Sequence, residues 1–425
     1  ATTEIYTYAI VGSVRVYKRQ NVYNNGLYIS DGSDESINVL SAFEELTGIK
    51  VNYTTYDSNE SLYAKLKSGG VSYDVIFPSD YMVGKMAKEG MLSELNMDNI
   101  PNFAGIGETY LDRSFDPGNK YSVPYMWGTA GILFNKKFIT AEEADTWDIL
   151  WDSKNRGKIL MKDSYRDAYG TAIIYAHARE LADSTVTVEQ LMNDNSPQAI
   201  ALAEQRLKEM KPNIAGWEAD FGKEMMTKNK AWINFTWSGD AVWAIEEADA
   251  VGVELDYTVP CEGSNIWYDG WVIPKYAGNP KAAAYFINYL CRPDIALRNM
   301  DAIGYVSAVA TPEIMEAKRD TAIATRSDLS YFFGEGVGAD SLQINPVQYP
   351  DRKVVERCAM IRDFGDRTEL VLEMWSRVKG DNLNTGIVLL IFAVFGLLFI
   401  WLVYAKIRKY KQKRRHRLRR KRKRG

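Results

Sequence analysis

The sequence predicts an α/β fold with a mostly parallel sheet, because short apolar strands alternate along the chain with helices. The predicted strands are residues 21–29, 49–56, 73–77, 158–163, 231–237 and 265–274. Apolar residues with helical spacing, or a helix start signal, follow them. No internal repeat and no long linker occurs before Lys379, which favours two lobes joined by crossing strands, with a cleft between them.

Local signals mark the ends of the predicted helices. Gly48 ends a helix that carries Phe43, and Ser58 is a good cap for the next one. A later helix is predicted over residues 166–182. Pro280 opens a helix that runs to Cys291, because proline is favoured in the first turn. Residues 1–19 form no pattern that we can assign.

Charge is distributed unevenly along the chain. The 14 Lys and Arg residues between Lys406 and Arg424 leave 38 basic residues against 55 acidic ones in the rest, a net charge of −17. Such an acidic body attracts cations and repels nucleic acid, so we expect no nucleic-acid partner.

A membrane helix is predicted close to the C-terminus. Residues 386–405 contain no charged side chain, and at 1.5 Å per residue they span about 30 Å, the thickness of a hydrocarbon core. The basic residues 406–425 follow directly, which predicts a cytoplasmic tail, a short linker at 379–385 and an extracytoplasmic body. An exported body requires a leader, and the chain opens with ATTEIYTY, so we expect Ala1 to follow a cleavage site.

The sequence lacks the motifs of common enzymes. It holds two histidines, His177 and His416, and neither a phosphate-binding GxxxxGK[ST] loop nor a GxGxxG motif. The cysteines Cys261, Cys291 and Cys358 have no metal-ligand spacing, and we expect them to be small buried apolar residues, with one disulfide among them as the alternative. We therefore predict a protein that is not an enzyme and holds no metal or cofactor.

One predicted strand carries an aromatic and acidic face. Alternation places Trp267, Asp269 and Trp271 on the same side of residues 265–274. A carboxylate between indole rings suits an ammonium group through charge-assisted hydrogen bonds and cation–π contacts. The alternative is that both tryptophans belong to the core and that Asp269 caps a turn at Gly270.

Two other strand ends repeat this composition. Trp237 precedes Asp240 at a helix start, where an acidic residue is also favourable without any ligand. Ser79 and Asp80 follow the strand at 73–77, with Tyr81 beside them. Because ligands of open α/β sheets bind beyond the carboxyl ends of strands, these segments indicate one binding site.

These residues lie in runs that resemble a known family. The runs are LTGIKVNYTTYDSNESLYAKLKSG (46–69), YDVIFPSDYM (73–82), YSVPYMWGTAGILFNKK (121–137), WINFTWSGDAVWAI (232–245) and EGSNIWYDGWVIPKYAGNPKAAAYFINYLCRPDIA (262–296). Over residues 20–378 the chain is similar to the spermidine/putrescine-binding receptors of bacterial ABC importers. The resemblance implies a two-lobe, type II periplasmic-binding-protein-like clamp that acts as a monomer, captures a polyamine and delivers it to permease subunits in the lipid bilayer.

The resemblance also implies lobe boundaries and a binding site. Lobe 1 comprises 20–128 with 267–313, and lobe 2 comprises 129–266 with 314–378. The implied ligand-binding residues are Tyr28, Ser79, Asp80, Tyr81, Asp167, Trp237, Asp240, Trp267, Asp269 and Tyr305. Two positions depart from the family pattern: Asn25 replaces a tryptophan and Ser164 replaces an acidic residue. The alternative function is a membrane-tethered receptor or sensor for another small organic cation.

Overall fold

The computed structural model describes residues 19–33, 36–218, 221–380, 392–396, 401 and 406. Within these residues the strands form a 10-stranded sheet with helices packed around it. The strands are β1 (Arg19–Asn25), β2 (Lys50–Tyr56), β3 (Val75–Ile76), β4 (Ser122–Asn135), β5 (Ile159–Lys162), β6 (Ile214–Glu218), β7 (Ile233–Trp237), β8 (Leu255–Thr258), β9 (Ile266–Val272) and β10 (Val306–Ser307).

The helices lie between these strands and after them. They are α1 (Val39–Thr47), α2 (Asn59–Lys67), α3 (Asp80–Lys88), α4 (Ala141–Ala144), α5 (Asp148–Trp151), α6 (Tyr165–Ala176), α7 (Ala178–Ala182), α8 (Val188–Met192), α9 (Pro197–Met210), α10 (Gly222–Thr227), α11 (Ser238–Ala250), α12 (Pro280–Leu290), α13 (Pro293–Ile303), α14 (Pro312–Ala317), α15 (Ser330–Phe333), α16 (Arg352–Glu356) and α17 (Thr368–Gly380).

The long strand β4 connects two groups of strands. The main strand order is β2-β1-β3-β9-β4-β7-β5-β6, and β8 and β10 also pair with β4. The first half of β4 pairs with β9, and its second half pairs with β7 and β8. We call β1, β2, β3, β9 and β10 the first strand group, and β5 to β8 the second strand group.

Parallel pairing dominates away from β4. β1 runs parallel to β2 and β3, and β5 runs parallel to β6 and β7. Strands that run the same way need a crossover connection, which here is a helix in most cases. The predicted α/β class is therefore confirmed.

The local signals in the sequence act as expected at several helix ends. Gly48 has a left-handed backbone (φ 73°) and caps the end of α1. Ser58 caps α2 and accepts a hydrogen bond from the Ser61 amide. The helix predicted over 166–182 is interrupted at His177, which leaves helical geometry (φ −117°, ψ 23°) and separates α6 from α7.

Apolar cores of different size hold the strand groups. The larger core surrounds the first strand group and includes Phe43, Trp127, Trp271 and Phe286, while Leu133 and Leu160 belong to a smaller core in the second. Some of the residues that we predicted for lobe 2 pack beside the first strand group. The side chains of Ile314, Phe332 and Ile344 lie in the larger core beside the first strand group, so the lobe boundaries stay a prediction.

The cysteines are unpaired thiols. Cys291 is buried and Cys358 is partly buried, but Cys261 is exposed, so the expectation that all three are buried is wrong for Cys261. Cys261 directly follows Pro260 in the loop between β8 and β9 and is exposed there, although Pro260 and Gly263 on either side are buried.

Residues up to Val371 form one compact unit, and Leu372–Gly425 form a second. Arg19 already belongs to β1, and residues 1–18 lie outside the described residues. Helix α17 continues to Gly380, so the first two residues of the predicted linker 379–385 are helical.

Most of the predicted span 386–405 and of the basic tail also lies outside the described residues. Of the span, 392–396 and 401 are described, and all of these are helical. Among the residues that the structure describes, we find no helix with the length and apolar content that a membrane crossing needs.

Candidate ligand-binding site

A large cleft lies at the carboxyl ends of the parallel strands. Its volume is about 1620 Å³, and both strand groups contribute to its walls. Its lining includes the last residue of each of five strands: Asn25 of β1, Tyr56 of β2, Lys162 of β5, Glu218 of β6 and Trp237 of β7. This is the edge at which open α/β sheets bind ligands, because the loops there can vary without disturbing the sheet.

The cleft is acidic. Among its lining residues we count twelve Asp and Glu side chains and four Lys and Arg side chains. Low-dielectric walls of one charge sign concentrate the electric field, and they raise the local concentration of counter-ions. The cleft therefore favours cationic ligands over anionic ones.

Asp269 is a buried acidic residue of the cleft with an incompletely bonded carboxyl group. It lies on β9 and is 6% exposed. Its Oδ2 accepts a hydrogen bond from the Tyr28 hydroxyl at 3.1 Å, whereas its Oδ1 is buried and has no hydrogen-bond partner among the described residues. A buried polar atom without a partner is costly, so this oxygen is poised for a donor on a ligand.

Burial also changes the acidity of Asp269. It raises the pKa of this carboxyl group to about 8, and the nearby charge of Asp80 adds to the increase. The neighbouring Ser79, Tyr28 and Trp267 side chains lower the pKa again in part. The carboxylate form therefore needs a positive charge beside it to be stable at neutral pH.

A row of four aromatic rings starts beside Asp269. The ring centroids of Tyr28 and Tyr305 are 5.2 Å apart, those of Tyr305 and Trp267 are 6.2 Å apart, and those of Trp267 and Trp237 are 5.9 Å apart. Gly239 permits this arrangement, because a Cβ at that position would lie 2.4 Å from the Tyr305 ring. The row provides a continuous apolar and π-rich wall for an alkyl-ammonium chain.

The acidic residue at the start of α3 has a structural role. Asp80 is buried, and its two oxygens accept hydrogen bonds from the backbone amides of Tyr81 (2.6 Å) and Tyr268 (3.2 Å). Burial raises its pKa to about 6 even so. Ser79, just before it, bonds with the Asn59 side chain. These contacts hold the start of α3, which carries Tyr81.

Asp167 joins the second strand group to the start of β9. This buried residue accepts hydrogen bonds from Trp237 Nε1 at 3.1 Å and from Asn265 Nδ2 at 2.8 Å. Ser164 caps the same helix, because its hydroxyl accepts a hydrogen bond from the Asp167 amide at 3.3 Å. Asp167 therefore orients one of the aromatic walls.

Asp240, in contrast, is paired with a full positive charge. Its Oδ2 lies 2.7 Å from Lys162 Nζ, and Glu218 Oε1 lies 3.5 Å from the same nitrogen. Lys162 is 4% exposed, and its ammonium group stands 4.3 Å from the centroid of the Trp237 ring. This end of the cleft thus already holds an ammonium group between a carboxylate and an indole ring.

Contacts across one rim link the two strand groups. Glu60 accepts hydrogen bonds from both Tyr81 (2.9 Å) and Tyr165 (2.8 Å). The Arg166 guanidinium covers the Tyr81 ring at 3.6 Å from its centroid. These contacts therefore connect α2 and α3 to the start of α6 at the cleft rim.

All the site residues predicted from the sequence line this one cleft: Asn25, Tyr28, Ser79, Asp80, Tyr81, Ser164, Asp167, Trp237, Asp240, Trp267, Asp269 and Tyr305. Trp271 does not, since it is 1% exposed and packs against Phe77 and Phe286 in the core. The sequence interpretation missed Lys162, Glu60 and Asn265. The position of Lys162 at the end of a buried strand was the available signal, because a buried lysine requires a partner.

Comparison with known proteins agrees with this geometry. The family model described as bacterial extracellular solute-binding protein matches residues 38–325. The spermidine/putrescine-binding periplasmic protein of Salmonella typhimurium is 32% identical over 361 residues, which cover 85% of this chain and 91% of that protein. The solved structure of a putative spermidine/putrescine ABC transporter from Listeria monocytogenes is 30% identical, with a TM-score of 0.70, and the match covers 85% of this chain and 99% of that one.

The fold and the family follow from these matches. The periplasmic-binding-protein fold expected from the sequence is confirmed, and so is the resemblance to spermidine/putrescine receptors. A family of extracellular solute-binding proteins also agrees with an extracytoplasmic body that binds and does not catalyse. The chain belongs to the bacterial extracellular solute-binding proteins.

Proposed function

We propose that this chain captures a polyamine such as spermidine or putrescine in its cleft and delivers it to the permease subunits of an ABC importer. The buried Asp269 carboxylate carries the proposal, because one of its oxygens has no hydrogen-bond partner among the described residues. An ammonium group would satisfy that oxygen and neutralise the charge that burial disfavours. The aromatic row beside it suits the methylene chain of the ligand.

The implied ligand-binding residues divide into three roles under this proposal. Asp269 holds an ammonium group, and Tyr28 orients the carboxylate through its hydroxyl. Trp267, Trp237 and Tyr305 form the apolar wall. Of the remaining predicted residues, Asp240 pairs with Lys162, while Ser79, Asp80, Tyr81, Ser164 and Asp167 hold the loops and rings in position through the hydrogen bonds described above. Asn25 lines the cleft where relatives of the resembled family have a tryptophan.

Calorimetric titration of the full chain in mild detergent tests the proposed ligand. We expect saturable binding of putrescine, spermidine or spermine with one ligand per chain, and no binding of glucose or glutamate as neutral and anionic controls. Binding of an unrelated organic cation, with no polyamine bound, would support the alternative of a receptor or sensor for that cation. Absence of binding for every cation would refute the proposed function.

We further propose that a single helix at 386–405 anchors the receptor in the membrane as a monomer, with residues 406–425 in the cytoplasm. The uncharged stretch and its one-sided basic flank support this orientation. The described residues Phe392 and Trp401 are 70% and 63% exposed, which suits contact with lipid. An anchor of this kind would keep the receptor concentration near the permease high.

Protease added to intact cells tests this topology. We expect the body to be degraded while an epitope placed after Gly425 survives, because the bilayer protects the tail. The same treatment after permeabilisation should remove both and serves as the control. Loss of the epitope with an intact body would contradict the orientation and the import function together.

A further inference from the structure

Lys162 occupies a position in the cleft that a ligand amine would suit. It is the last residue of β5, and its side chain is almost fully buried. Its ammonium nitrogen is 2.7 Å from Asp240 Oδ2, 3.5 Å from Glu218 Oε1 and 4.3 Å from the centroid of the Trp237 ring. A carboxylate together with an aromatic face is the environment that binds alkyl-ammonium groups.

The lysine side chain has the same chemical structure as one end of a polyamine. Four methylene groups and a terminal ammonium form the same aminobutyl unit that ends a putrescine or spermidine molecule. The ammonium of Lys162 pairs with the Asp240 carboxylate and lies near Glu218, whose pKa is raised by burial. A second ammonium arriving at this end would meet the positive charge of Lys162, which already occupies the Asp240 carboxylate.

The end of the aromatic row at Asp269 differs from the end at Asp240. Asp269 has the Tyr28 hydroxyl as a donor, and its Oδ1 has no hydrogen-bond partner among the described residues. One ammonium group can therefore be bound at Asp269, while the position at Asp240 is filled from within the chain.

We propose that Lys162 is an internal substitute for one ligand ammonium and thereby sets specificity, so that a ligand needs only the ammonium group that Asp269 binds. This inference rests on the proposed function, because it assumes an amine in the cleft. It predicts that the ammonium at the far end of a diamine contributes little to affinity, since like charges that face each other oppose binding.

Butylamine and putrescine form a matched pair of probes, because they share four carbons and differ by one ammonium group. For the full chain we expect the two dissociation constants to agree within about threefold, as the second charge gains no partner. In Lys162→Met, which keeps an unbranched side chain without the charge, Asp240 becomes available. We expect the preference for putrescine over butylamine to rise by about tenfold or more there.

Three further variants control this result, and a thermal denaturation curve shows whether each variant is folded. Lys154→Met removes a half-exposed lysine that also pairs with two carboxylates, Glu143 at 2.7 Å and Asp152 at 3.3 Å, but lies outside the cleft. We expect it to leave the preference unchanged. The double variant Lys162→Met with Asp240→Asn should lose the gain, because the released carboxylate is then absent. Lys162→Gln repeats the test if the methionine variant does not fold.

The outcomes separate the inference from the proposed function. An equal preference in the full chain and in Lys162→Met would overturn the role of Lys162 and leave the receptor function intact. If neither lysine variant folds, the affinities of the unsubstituted chain decide the question. A preference of about thirtyfold or more for putrescine over butylamine would overturn the inference, because such a preference requires a free second carboxylate. Failure of the full chain to bind any amine would overturn both proposals.

Discussion

Replacement of Asp269 by asparagine is expected to weaken amine binding strongly without unfolding the protein. Removal of one partner of a buried charge pair costs about 2–5 kcal/mol of binding free energy, which corresponds to roughly 30- to 4000-fold in the dissociation constant. The introduced amide would keep an oxygen that can accept the Tyr28 hydrogen bond, so the cleft would retain its shape. Calorimetric titration of Asp269→Asn with putrescine and spermidine measures the loss.

The stability of the ligand-free protein provides an independent check on Asp269→Asn. The carboxylate is buried and disfavoured, so a neutral amide of the same size should leave the melting temperature unchanged or increase it near pH 8. Asp256→Asn is a suitable control, because Asp256 is an exposed strand residue outside the cleft. Unchanged affinity in a folded Asp269→Asn protein would contradict the assignment of the ammonium site.

Much of the site could be predicted because local sequence specifies where strands end. Trp237 is the last residue of β7 and Asp240 lies in the first turn of α11. Ser79 and Asp80 lie just after β3. Parallel strands bring such junctions to one edge of the sheet, whatever their separation along the chain. Correct strand assignments were therefore sufficient to bring these residues into one cleft.

Strand alternation, however, gives the face of a strand and not the extent of a cleft along it. Trp267, Asp269 and Trp271 were predicted to share one face of β9. The first two line the cleft, but Trp271 packs against Tyr125 and Phe286 in the larger core. The same face of β9 lines the cleft near the start of the strand and the protein interior a few residues later, because β9 lies in the middle of the sheet, between β3 and β4.

Long-range pairing explains why Lys162 was missed. The sequence placed it on a strand, and its charge was visible, but its partners Glu218 and Asp240 come from the end of β6 and the start of α11. The sheet order β7-β5-β6 brings these three residues together, and no periodicity in the sequence reveals that order. Asp80 shows the same limitation, since its backbone partner Tyr268 is distant in the sequence.

Polyamine affinity is expected to fall as the pH is lowered below about 8. Burial raises the pKa of Asp269 to about 8, with a further contribution from the Asp80 charge, so the free protein holds a proton there at neutral pH. An ammonium ligand binds the carboxylate form and must displace that proton. Affinity should therefore decrease by up to about tenfold per pH unit below 8, with an approach to a plateau above it.

The same shift fixes the sign of the stability change in the ligand-free protein. Because folding raises the pKa of Asp269, the folded state binds this proton more tightly than the unfolded state does. Its contribution to stability is fully present below the ordinary pKa of 3.8 and is lost as the pH rises through about 8. Asp269→Asn should remove this component, and the remaining pH dependence then reports other groups, including Asp80, whose pKa is raised to about 6.

Titration with putrescine at pH 6, 7, 8 and 8.5 tests the pH dependence of binding. At each pH, two buffers with different ionisation enthalpies reveal how many protons leave on binding, and we expect close to one at pH 7 and fewer above pH 8. Both ligand amines stay protonated over this range, since alkyl-ammonium groups have a pKa near 10. An affinity that stays constant from pH 6 to 8, with no proton released, would contradict this prediction. It would show that Asp269 is already ionised in the free cleft, so that the ligand ammonium is attracted to a charge present before binding.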